Sequence, residues 1–269
     1  MRILSIYIMY KYLHQKMHEA LFLSEPPYNQ IPQDLLELAF TPRDVGSRHA
    51  LMKYGMGDYE DLEFLGDAVL ELIVVSSCLG FPLHLAKQIA QEETCNQRLY
   101  QRIRHLTEPL GLQGKECADV LEALIGCIFY FFNSYELTEK WYLSFANLPK
   151  PTIGFSYQPG YIPFAPLLLD TLPIPRQYIL ASLGPEHPRL VWLGRTVIKL
   201  VIIQYLFLAD VPRQEIDRMR SEWSPNNVSA RLGYFTDIDP DVILAVIGGV
   251  YLGLGVYDKT YDWLLQLLE

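Results

Sequence analysis

Two apolar segments constrain the fold of this chain most, because each carries acidic residues at helical spacing. The segments cover residues 61–70 and 118–126. The acids are spaced i, i+4 in the first segment and i, i+3 in the second, so a helix would place each pair on one face. The sequence therefore predicts two largely buried helices that each present two carboxylates, which are Glu63, Asp67, Asp119 and Glu122.

Carboxylates in core-like helices need a positive partner. Mutual repulsion and desolvation both disfavour their ionised forms. A divalent cation removes that cost, and hard oxygen ligands indicate Mg2+, with Mn2+ as a substitute. Ion pairs that only hold the domain together are the alternative, with Lys53, Arg98 or Lys115 as the partners.

The same segments resemble the two signature motifs of the ribonuclease III family. Residues 62–70 (LEFLGDAVL) follow Glu60, and residues 118–126 read ADVLEALIG. Residues 35–41 are similar to the family's leading helix, and residues 94–99 lie at the place of its Asn-containing helix start. The resemblance covers about residues 30 to 145.

This resemblance implies an all-α domain that cuts double-stranded RNA with Mg2+. It implies that the four acids are both metal ligands and catalytic residues: Glu63, Asp67, Asp119 and Glu122. It also implies supporting roles for Glu60, at a further acidic position, and for Asn96, at a helix start near the site. An exposed residue at a helix start and an ordinary N-cap are the respective alternatives.

A weakened copy of the first domain's pattern returns in the second half. Residues 189–200 align with 61–72, and residues 240–248 align with 118–126, with apolar positions and glycines kept. Three of the four acids are replaced, since Val191, Arg195 and Leu244 occupy the places of Glu63, Asp67 and Glu122, and only Asp241 remains. We expect the second copy to be unable to hold metal, with an Arg195–Asp241 ion pair in its place.

The repeat predicts a fold class of two ribonuclease III-like helical domains in tandem, forming an intramolecular pseudo-dimer. The expected parts are an N-terminal helical extension (1–29), the domain with the intact acidic site (30–146), a proline-rich linker (147–175) and the degenerate domain (176–269). With one intact site, the chain is expected to nick one strand of a duplex. A Dicer-like fragment also fits the tandem arrangement, but the lost second site argues against release of fixed-length duplexes.

The formal net charge of −9 is a poor match to an autonomous nucleic-acid binder. No double-stranded-RNA-binding domain follows the repeat within this sequence. We therefore expect modest RNA affinity, with a protein partner or a ribonucleoprotein supplying the rest. These features also suit an alternative function: a non-catalytic structural or RNA-binding subunit of a mitochondrial ribosome or an RNA-processing or editing complex.

The remaining patterns concern compartment, membrane and basic residues. The four cysteines lack zinc-site spacing, which favours reduced thiols in an intracellular compartment. The uncharged apolar stretch at residues 242–257 is short and glycine-rich for a bilayer span, so no membrane is expected. Arg98, Arg102 and Arg104 share one predicted helix, where they either meet phosphates or form a solvated face.

Overall fold

The described part of the chain is built from helices. The computed structural model describes residues 21, 26–41, 46–56, 58–108, 111–148, 184, 186–209, 211, 215, 218–219, 227 and 239–268. Within these residues there is no β-strand, so the predicted all-α class is confirmed.

The helices lie at the following positions. After a short 3-10 turn (Tyr28–Gln30) come α1 (Gln33–Leu38), α2 (Arg48–Tyr54), α3 (Glu60–Cys78), α4 (Leu83–Thr94), α5 (Asn96–Thr107), α6 (Lys115–Phe132) and α7 (Tyr135–Ala146). The second half contains α8 (His187–Leu208), α9 (Pro240–Leu254) and α10 (Tyr257–Leu268).

Helical periodicity in the sequence predicts nine of these helices. The predicted helices cover residues 33–40, 61–79, 82–92, 96–106, 116–132, 136–148, 190–208, 240–254 and 259–268, and each end lies within three residues of the one found. The periodicity does not predict α2. The helices predicted at residues 176–183, 213–221 and 226–232, the extension over 1–29 and the linker over 147–175 lie wholly or mostly outside the described residues.

The chain divides into two compact units. The first contains Met1–Asp67 and Glu93–Pro149, and the second contains Ala68–Glu92 and Lys150–Glu269. Helix α3 is continuous and contributes residues 60–67 to the first unit and 68–78 to the second.

The first unit is organised around α6, which packs against α1, α5 and α7. Helix α6 is buried on nearly every face after its first turn, from Cys117 to Phe129. It also crosses the start of α3 at two glycines. A Cβ atom on Gly66 would lie 1.8 Å from the carbonyl oxygen of Glu122, and one on Gly126 would lie 1.9 Å from that of Leu62. Only glycine allows two backbones to approach this closely.

The second unit repeats this crossing between α8 and α9. A Cβ atom on Gly194 would lie 1.9 Å from the carbonyl oxygen of Leu244, and one on Gly248 would lie 2.3 Å from that of Leu190. These four positions are the ones that the sequence repeat aligns with Gly66, Glu122, Gly126 and Leu62. The two copies of the sequence repeat therefore form helix pairs that cross at equivalent glycines.

Two polar contacts link helices of the second unit. The predicted ion pair is confirmed, since Arg195 Nη2 donates to Asp241 Oδ1 at 2.9 Å. The buried Tyr257 hydroxyl donates to Gln204 Oε1 at 2.8 Å, which ties α10 to α8. An arginine thus occupies the position that Asp67 holds in the first repeat.

Helix α8 is long and apolar enough to cross a bilayer by length and composition alone. However, 72% of its apolar window is buried inside the protein. Burial of this kind is what the core helix of a packed domain shows.

Candidate metal centre

Local sequence features place the carboxylate-bearing helices. Helix α3 starts where Asp58 Oδ1 accepts a hydrogen bond from the backbone N–H of Glu60 at 2.9 Å. Helix α6 starts after Gly114, whose φ of 55° lies in the left-handed region. The glycine crossing then brings the two helices together beside Glu122, so that the acidic face of each helix meets the other.

Three of the four predicted acids form one group. Glu63, Asp119 and Glu122 each offer a carboxylate oxygen, and these three oxygens lie within 4.8 Å of one another. Asp119 and Glu122 are 6% and 8% exposed, whereas Glu63 is half-buried. Hard oxygens at this spacing are the donor set that Mg2+ and Mn2+ favour.

Asp67 lies beside this group rather than in it. It is half-buried on α3, one residue after the crossing glycine Gly66. Its charge is the largest electrostatic contribution to the raised pKa of Glu122, after the effect of burial. The structure therefore brings together three of the predicted ligands and places Asp67 within electrostatic reach.

Glu122 is the least compensated of these groups. Among the described residues, its carboxylate has no hydrogen-bond donor, and the residue as a whole is 8% exposed. Burial, followed by the charges of Asp67, Glu63 and Asp119, raises the pKa of Glu122 to about 8. Ionising a largely buried acid beside three other acids is costly, and a bound cation would remove that cost.

Lys115 supplies a cation at the edge of the group. Its Nζ donates to both carboxylate oxygens of Asp119 at 2.9 Å and lies 3.9 Å from Glu63 Oε1. The hydrogen bond to Asp119 is the main cause that raises the pKa of Lys115. The alternative interpretation, in which the acids form ion pairs, is thus confirmed in part, because Lys115 pairs with Asp119. Lys53 instead pairs with Asp34 and Arg98 with Glu93.

Tyr59 borders the same group and was missed in the sequence. Burial and the charges of Asp119 and Glu63 raise the pKa of its phenol to about 12. Its position immediately before the acidic start of α3 was the only available signal. For Lys115 the signal was stronger, because a lysine four residues before Asp119 is a standard helical ion pair.

The two supporting residues occupy helix starts. Glu60 is the first residue of α3 and is half-exposed. Asn96 is the first residue of α5 and is exposed, and the N-cap position itself belongs to Cys95, whose side chain forms no capping hydrogen bond. Neither is in the carboxylate group found among the described residues, and their supporting roles stay predictions.

The three arginines of α5 have different environments. Arg104 is exposed, and Arg98 is about half-exposed beside Glu93. The Arg102 side chain is only 10% exposed, pairs with Glu93 and donates to the carbonyl oxygen of Ala146 at the end of α7. The expectation of a solvated or phosphate-binding face is therefore wrong for Arg102, which links α5 to the carboxyl end of α7.

The fold and this group define an all-α protein with a buried acidic cluster suited to a divalent cation. No protein-family model matches the sequence, and no curated protein matches it at a significant level. The resemblance to the ribonuclease III family rests on short segments within about residues 30 to 145 and stays a prediction.

Proposed function

We propose that this chain is an Mg2+-dependent endoribonuclease that acts on double-stranded RNA and nicks one strand from a single active site. The observation that carries the proposal is the convergence of Glu63, Asp119 and Glu122, with oxygens within 4.8 Å, between two helices whose sequences resemble the ribonuclease III signatures. Asp67 is the fourth proposed ligand and catalytic residue.

The residues present fit a divalent cation. The donors are all carboxylate oxygens, and Glu122 is a buried acid with no hydrogen-bond donor among the described residues. When bound, Mg2+ would generate a hydroxide-like nucleophile from water and stabilise charge on the phosphate and the leaving oxygen. The chain's own part is to hold the carboxylates in place through the backbone contact at Gly66, without which α3 and α6 could not approach.

The proposal of one active site follows from the second repeat. We propose two ribonuclease III-like domains in tandem, in which the second keeps the glycine crossing and has lost the ligands. Val191 and Leu244 offer no oxygen ligand, and Arg195 pairs with Asp241, the only retained acid. Their association as an intramolecular pseudo-dimer stays a prediction.

The charge of the chain bears on its partners. At −9, the chain is expected to bind structured RNA weakly by itself, so a protein partner or a ribonucleoprotein would supply affinity. The four cysteines are free thiols, and three of them are buried, which supports the proposed intracellular setting.

Strand-specific labelling tests the proposal. A perfect RNA duplex, labelled on either strand, is incubated with the purified chain and Mg2+ or Mn2+. We expect one nick per duplex from the wild type and at least about a 100-fold slower reaction from Glu122→Gln, because the amide keeps the shape but lacks the negative charge that holds the metal. Asp241→Asn changes the acid of the second repeat that aligns with Asp119, so it is the control outside the proposed site and is expected to cleave normally.

Two results would contradict this model in different ways. Cuts in both strands by a verified monomer would exclude a single site. Equal cleavage by the wild type and Glu122→Gln would show that this carboxylate group is not the active site.

A second candidate function is a non-catalytic structural or RNA-binding subunit of a larger ribonucleoprotein. The ion pair between Lys115 and Asp119 favours it, because a lysine can satisfy a retained carboxylate without any metal. Absence of cleavage by folded, metal-loaded protein would support this second function.

A further inference from the structure

The ammonium group of Lys115 occupies the solvent-facing side of the acidic group. Both oxygens of Asp119 accept hydrogen bonds from Nζ at 2.9 Å, and Glu63 Oε1 lies 3.9 Å away. The Lys115 side chain is 67% exposed, whereas that of Asp119 is 9% exposed. The lysine therefore reaches the group from water and can return to water without disturbing the core.

This lysine does not compensate the whole group. Nζ forms no hydrogen bond to Glu122 among the described residues, and Glu122 is the most deeply placed acid without a donor. A single positive charge at the rim thus satisfies Asp119 and attracts Glu63. It leaves a buried carboxylate that a more highly charged ion, bound between the helices, would satisfy.

Lys115 and a metal ion would compete for the same atoms. A cation held by the Asp119 oxygens would lie against the ammonium group that now donates to them. Like charges at contact distance repel strongly in a partly buried site. Occupancy by metal therefore requires that Lys115 move away from Asp119.

We propose that Lys115 is a tethered counter-cation that competes with the divalent metal, so that it sets the metal concentration at which the site becomes loaded. This inference rests on the proposed function, because it assumes that the carboxylate group binds metal. Lys115 would be a determinant of metal affinity, and its removal would tighten binding while leaving the metal-free site without its counter-charge.

Mn2+ titration of the full chain, with free Mn2+ followed by electron paramagnetic resonance, tests this competition. Lys115→Met is expected to bind Mn2+ about fivefold more tightly than the wild type, the size expected when an exposed ion pair no longer has to be broken. Lys115→Arg keeps the charge and is expected to stay within about twofold of the wild type. Lys53→Met is the matched control, because Lys53 pairs with Asp34 outside the group.

A second measurement separates competition from a structural role. Without metal, Lys115→Met is expected to unfold at a lower urea concentration than the wild type. Saturating Mn2+ is expected to bring the two unfolding midpoints together, because the tighter metal binding offsets the lost ion pair. If Lys115 had only a structural role, its replacement by Met would lower both the stability and the metal affinity.

The outcomes distinguish this inference from the proposed function. Suppose that the wild type binds Mn2+ through Glu122 but Lys115→Met binds Mn2+ equally or more weakly. That result would exclude competition by Lys115 and would still support a metal site at the carboxylate group. If neither the wild type nor any Lys115 variant binds Mn2+, both proposals fail.

Discussion

Gly66→Ala is expected to destabilise the first unit by about 3 kcal/mol or more and to abolish metal binding, because overpacking at a backbone contact cannot be relieved by a side-chain rotation. The added methyl group would lie 1.8 Å from the carbonyl oxygen of Glu122 and 2.7 Å from the backbone nitrogen of Gly126. Helices α3 and α6 would have to separate, which moves Glu63 away from Asp119 and Glu122. Urea unfolding and Mn2+ titration measure the two effects.

The second repeat supplies a matched control for this substitution. In Gly194→Ala, the new methyl group would lie 1.9 Å from the carbonyl oxygen of Leu244. We expect a similar loss of stability but retained Mn2+ binding, since no residue of the acidic group lies at that crossing. A Gly66→Ala protein with wild-type stability and metal affinity would show that the close crossing does not position the carboxylates.

Glu122→Gln is expected to remove a pH-dependent loss of stability from the metal-free protein. Burial and neighbouring acids raise the pKa of Glu122 to about 8, whereas its ordinary value is 4.5. The folded state therefore keeps a proton that the unfolded chain releases. The contribution to stability is fully present below the unfolded pKa and is lost as the pH rises through about 8, by about 5 kcal/mol in total, most of it between pH 5 and pH 9.

Urea unfolding between about pH 5 and pH 9, without metal, measures this effect. The free energy of unfolding of Glu122→Gln, relative to the wild type, should increase across that window by an amount on the order of 4 kcal/mol. Glu136→Gln, an exposed acid on α7, is the control and should show no such increase. A constant difference across the window would mean that Glu122 is already ionised at low pH and has a partner.

Much of the fold could be predicted because apolar periodicity and burial agree in most helices. Helix α9 was placed at the same bounds that the structure shows, since its residues are buried over two full turns. Helix α2 was missed because it has no apolar stripe: Ala50 is buried, but Leu51 and Met52 are exposed. Its start and end were still marked, by Ser47 as an N-cap and by Gly55 with a φ of 72°.

The acidic site could be predicted in composition and not in geometry. Spacing placed Glu63 and Asp67 on one helical face, but it could not say that only Glu63 joins Asp119 and Glu122. That outcome depends on the angle of the crossing, which the backbone contact at Gly66 determines. The burial of Arg102 is similarly a tertiary effect, because its partner Ala146 lies far along the chain.

Mn2+ binding by the wild type, Glu122→Gln and Glu136→Gln tests the central claim most directly. We expect a Mn2+ site in the wild type that Glu136→Gln retains and that Glu122→Gln weakens by at least about tenfold, because one charged ligand is lost. Equal binding by all three proteins, or no binding by any of them, would contradict the claim that Glu63, Asp119 and Glu122 form a metal centre.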